Sequence, residues 1–152
     1  MKSDPRVPST PYHARMIPAD PHRRLALVLR ILGTLDLLAL VAAVAPRRWI
    51  ILAHDWCGLG PLPDGPVVGY LYRSASLLYA LHGAMIWFVA GDVVRYWPLI
   101  RFLAILAVVH GAFLIGVDAA EKLPGWWRWA EGPGFAATGA IVLCFQRSGA
   151  PT

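Results

Sequence analysis

The chain has 152 residues, of which 57% are apolar and only 15% charged, with a formal net charge of +5 and a mean hydropathy of +0.53. Ordinary soluble domains carry ~45–50% apolar and ~25% charged residues. The balance therefore excludes a disordered or collagen-like chain, and it argues against a free soluble protein, whose surface would be left with large apolar patches. A bilayer is the matching solvent.

In chain order, residues 1–22 are polar and rich in proline (Pro5, Pro8, Pro11, Pro18, Pro21) and read as a disordered cytoplasmic tail. Residues 23–148 then read as one transmembrane domain. A spanning helix needs about 20 mainly apolar residues, and the first run, Arg24 to Ala45, has them before Pro46 and Arg47-Arg48 close it. It exceeds the 7–15 residues of a cleavable signal's apolar region, so it reads as a retained span. Arg47–Cys57 spaces Trp49, Ile50, Ala53 and Trp56 along one helical face, which predicts a short amphipathic helix in the interface plane. Turn formers from Gly58 to Pro66 lead into a second span over 68–90. Pro98 opens a third, over 98–118, in the first-turn position that proline favours. The fourth, 133–146, is short; it either borrows length from Trp126–Ala130 or sits where the bilayer thins. The expected fold is all-α, an antiparallel bundle of four transmembrane helices with an interfacial helix in the first outer loop.

Positive charge sets the orientation. With the N-terminus inside, the inner side holds Lys2, Arg6, Arg15, Arg23, Arg24, Arg95, Arg101 and Arg147, and the outer side Arg47, Arg48, Arg73, Lys122 and Arg128. Both termini are expected in the cytoplasm. Trp87, Tyr96 and Trp97 then fall at the inner interface, with Trp49, Trp56, Tyr70, Tyr72, Trp126, Trp127 and Trp129 at the outer one, as an aromatic belt requires. The basic residues gather ahead of the first span and no recognition module is present, so nucleic acid is not an expected partner. The partners expected are the bilayer itself and a membrane protein or a second copy, since small-xxx-small pairs (Ala80/Ala84, Ala107/Gly111, Ala112/Gly116, Ala136/Ala140) allow close helix approach. Cys57 and Cys144 fall near opposite faces and read as unpaired thiols.

A charge in the bilayer interior is costly and needs a reason. Asp36, His82 and His110 qualify. At 1.5 Å per residue, Asp36 and His110 lie about 18 Å above the inner ends of their helices and His82 about 13 Å, so the three can meet in one bundle. They read either as a proton or ion site or as a structural hydrogen-bonded cluster. A haem held by His82 and His110 is a sharper alternative, weakened by their depth mismatch; no metal site is expected. Near the outer face, Arg73 and Asp118 are expected to pair, with Glu131 competing and His54 close by; the alternative is an anion or headgroup pocket. No nucleophile elbow, phosphate loop or Cys-x-x-Cys occurs, which leans against an enzyme. The expected role is an accessory or interaction subunit, with a small proton-coupled transporter and a haem electron carrier as alternatives.

The stretches His54-Asp55-Trp56-Cys57-Gly58-Leu59-Gly60, Tyr70-Leu71-Tyr72-Arg73-Ser74-Ala75-Ser76, Tyr79-Ala80-Leu81-His82-Gly83, Asp92-Val93-Val94-Arg95-Tyr96-Trp97-Pro98-Leu99 and Glu131-Gly132-Pro133 resemble a group of small bacterial four-pass membrane proteins, broadly similar in topology to the DoxX-like proteins. The resemblance covers roughly residues 25–147. It implies a four-helix fold in the inner (plasma) membrane and no particular activity, so it carries over no catalytic residue.

Overall fold

The structure is a computed structural model that describes residues 21–148, and these are all-helical, with no strand among them. Residues 1–20 of the expected tail lie outside the described residues, whereas Pro21 and His22 belong to the first helix.

Helix α1 (Pro21–Leu37) runs on into α2 (Ala39–Val44), with a tightened turn at Leu38 between them. There the Leu38 amide is shared between the carbonyls of Thr34 and Leu35. Thr34 Oγ1 also donates back to the Arg30 carbonyl at 2.7 Å, a local competitor that bends helices. Ala45, preceding Pro46, is extended and stops the helix. The amphipathic α3 (Arg47–Trp56) follows and has no buried residue. Its Trp56 is 89% exposed. The loop after it turns at Gly58, Gly60 and Gly65, all at positive φ. His54 Nδ1 against the Gly60 carbonyl (2.7 Å) and the Arg47–Asp64 ion pair (2.9 Å) pin that loop.

Three helices of 24 residues complete the described residues: α4 (Pro66–Val89), α5 (Trp97–Ala120) and α6 (Gly125–Ser148). Proline stands in the first turn of α4 and of α5. The last helix starts ahead of the expected 133–146 and takes in Trp126–Ala130, one of the two alternatives for that segment. It begins at Gly125 and carries Pro133 in its interior. Proline deletes one hydrogen bond and crowds the carbonyl four residues back.

Helix α1–α2 packs along α4, and α5 packs along α6, while α1 also touches α6 and joins the two pairs. Glycines set both crossings. A Cβ at Gly83 would stand 2.6 Å from the Gly33 carbonyl oxygen, and one at Gly111 would stand 2.5 Å from the Gly132 carbonyl oxygen. Leu25, Leu29, Ile86, Val89, Ile100, Ala104 and Val142, from all four long segments, form the core that binds the pairs together.

Two stretches among the described residues, Pro21–Val44 and Trp97–Ala120, are long and apolar enough to cross a membrane. Helices α4 and α6 match them in length, with apolar runs interrupted by Arg73 and His82, and by Arg128 and Glu131, respectively.

Candidate functional site

The two helix pairs leave a cavity of about 270 Å³ between them, walled by α1, α4, α5 and α6. Most of its wall is aliphatic, from Leu29, Leu32, Ile86, Leu103 and Val142 among others. The polar side chains on it are Asp36, His82, Glu131 and Thr138, and it includes no lysine or arginine.

Asp36 and His82 meet at 2.7 Å, Oδ2 to Nδ1. The backbone explains why. Gly33 and Gly83 let α1 and α4 touch, and Asp36 lies one turn beyond Gly33 while His82 adjoins Gly83. A bond that fixes Nδ1 leaves Nε2 of the ring for a second partner. The pair is reachable, with the imidazole 44% and the carboxylate 24% exposed.

His110 does not join them. Its ring stands edge-on to Phe135 at 5.0 Å, and Tyr79 stacks on the same phenyl at 6.2 Å. The cavity takes Ile100, Leu103, Ala104 and Ala107 from α5 and not His110. The three-residue cluster is thus a pair, with Phe135 interposed as a cavity wall.

The expected outer-face cluster is also divided. Arg73 donates to the carbonyls of Ala43 (2.7 Å) and Ala45 (3.3 Å), not to Asp118 or Glu131. Those carbonyls belong to the end of α2, whose last C=O groups lack helical partners, and a cation there also offsets the negative end of the helix dipole. Asp118 is 1% exposed, and its Oδ2 has no hydrogen-bond partner. Glu131 accepts from the Trp127 indole one turn earlier and faces the central cavity. His54 is engaged by the Gly60 carbonyl.

Arg30 stands apart from the cavity lining, beside Trp87. It lies inside the first apolar run, and its guanidinium stacks 5.6 Å from the Trp87 ring. The Trp87 indole donates to Thr34 Oγ1 at 3.0 Å. Among the described residues no group of three or more His, Cys, Asp or Glu side chains is placed to hold a metal ion. No family model matches the chain, and no curated protein and no solved structure is significantly similar to it.

Proposed function

We propose that the protein is a four-pass integral protein of the plasma membrane that exchanges a small, largely apolar cation for protons through the cavity between its helix pairs. The observation that carries this reading is the Asp36–His82 pair on the wall of that cavity, with the Glu131 carboxylate on the same wall and no fixed positive charge there. Two carboxylates and one imidazole in a mainly aliphatic space favour a cation, and the Phe135 ring adds a face that attracts one. A cation entering beside Asp36 competes with the proton shared by the pair, so one leaves as the other arrives.

The membrane placement is part of the same proposal. Helices of 24 residues are about 36 Å long, enough for a hydrocarbon core of about 30 Å. Large apolar side chains such as Leu27, Ile31, Phe102, Val109 and Phe113 point outward and are exposed. With both termini cytoplasmic, α3 and Cys57 lie outside. A membrane-impermeant maleimide added to intact spheroplasts is expected to label Cys57 and not Cys144, and the reverse pattern would invert the topology.

The exchange is tested in vesicles that hold a pH dye. Tetraethylammonium added outside is expected to make the lumen more alkaline when the wild-type protein is present. The Asp36→Asn variant should fall to the rate of empty vesicles while keeping its thermal transition. Wild-type vesicles indistinguishable from empty ones, or an active Asp36→Asn variant, would refute the exchange.

A second reading, an interaction subunit that pairs with a copy of itself or with another membrane protein, is favoured by one face of α5. Gly111 is used against α6, but Ala112 is exposed and a Cβ at Gly116 would meet nothing within 4 Å. If that face is an interface, Gly116→Leu converts a gently extracted oligomer to monomer in native mass spectrometry. An unchanged mass distribution removes the face from any assembly.

A further inference from the structure

The α5–α6 pair carries a second concavity, of about 510 Å³, lined by Trp97, Arg101, Ile105, Leu143, Gln146 and Arg147. Arg101 stands one turn into α5 and Arg147 one residue before the end of α6, so the antiparallel pairing brings both to one groove. Both are exposed, and among the described residues neither is in an ion pair. Between them Gln146 is 4% exposed. Its Nε2 donates to the Trp97 carbonyl at 2.9 Å, which fixes which end of the amide is nitrogen. The oxygen Oε1 is left buried with no donor, a costly condition that calls for a partner.

We propose that this groove binds the headgroup of an anionic phospholipid, a phosphodiester with a glycerol-like hydroxyl beyond it. The phosphate lies against Arg101 and Arg147, which suit phosphate oxygens as forked donors. The hydroxyl donates to Gln146 Oε1. An ammonium headgroup could also donate there, but two adjacent guanidinium groups repel it, so the hydroxyl is the donor selected. Ile105 and Leu143 continue the groove with apolar surface for the start of an acyl chain. The site lies at the end assigned to the cytoplasm, where anionic lipid draws basic residues; in this respect the inference rests on the membrane placement proposed above.

The experiment uses the full chain in neutral detergent, read by native mass spectrometry with phosphatidylglycerol, phosphatidylcholine or inorganic phosphate added. The wild type is expected to retain one phosphatidylglycerol with a preference of about tenfold or more over phosphatidylcholine. The Arg101→Gln/Arg147→Gln variant should lose the preference, each single change should weaken it, and Arg95→Gln, at the same end of the molecule, should keep it. Equal loss in Arg95→Gln would reduce the effect to general charge and overturn the site. Displacement by millimolar inorganic phosphate would make it a free-anion site and overturn the lipid assignment. An alkaline carbonate wash of the source membranes separates the two proposals. Chain retained in the membrane without lipid preference defeats the headgroup site alone, whereas released chain that still prefers the lipid defeats the four-pass placement alone.

Discussion

Replacing Gly83 with alanine is expected to destabilise the protein by about 3 kcal/mol, the upper end of the usual cost of overpacking. The added methyl would stand 2.6 Å from the Gly33 carbonyl oxygen, 2.7 Å from the Leu37 amide nitrogen and 2.9 Å from Asp36 Cβ. Two of these atoms are backbone, so no side-chain rotation relieves the clash, and α1 must move away from α4. Gly33 is fixed reciprocally, since a Cβ there would approach the Gly83 oxygen at 2.9 Å. The movement acts first on the neighbouring Asp36–His82 bond. Folded Gly83→Ala protein should therefore also lose proton-coupled movement of tetraethylammonium. Gly116→Ala is the comparison: nothing lies within 4 Å of its Cβ, so it should gain about 0.5–1 kcal/mol from helix propensity alone. Denaturant or thermal unfolding in detergent measures both. Equal stability of the two variants would mean that α1 and α4 do not cross at these glycines.

The same glycines explain how much of the site was readable in advance. A carboxylate within an apolar run needs a partner, and axial rise alone put Asp36 and His82 within reach of one another. Rise gives depth but not direction around the axis, which is why His110 was grouped with them although it faces Phe135. Arg73 was misassigned for a different reason. Opposite charges at similar height invite pairing, yet the stronger demand came from main-chain carbonyls stranded where Pro46 ends the helix, a demand that Pro46 itself announces. The central helices follow from apolar length, and α4 and α5 begin and end within about two residues of the expected spans, the ordinary uncertainty of helix ends. Helix α6 follows only in part: the addition of Trp126–Ala130 is one of the two alternatives the sequence leaves open, because Pro133 looks like a start although the helix begins at Gly125. Glu131, expected near Arg73 at the outer face, lines the cavity instead.

Asp118 supplies the second large expected effect, of opposite sign. Its side chain is buried at 1% exposure, and Oδ2 receives no hydrogen bond. Its backbone carbonyl is used, accepting from Leu123 at the turn where Lys122 takes a positive φ of 54°, so the local fold depends on the main chain there and not on the carboxylate. A buried polar group without a partner costs about 1–3 kcal/mol, and more when charged. The similarly branched apolar side chain of Asp118→Leu removes the unpartnered polar atoms without opening a void, and it is expected to raise stability by about 1–3 kcal/mol, read as a higher unfolding midpoint in detergent. A loss of stability would mean that the carboxylate draws a donor that stabilises the fold. If the variant is more stable but moves tetraethylammonium more slowly, the unpartnered carboxyl of Asp118 is retained for transport, as destabilising groups often are at working sites. If it is more stable and equally active, Asp118 lies outside the exchange path, and the proton chemistry rests on Asp36, His82 and Glu131.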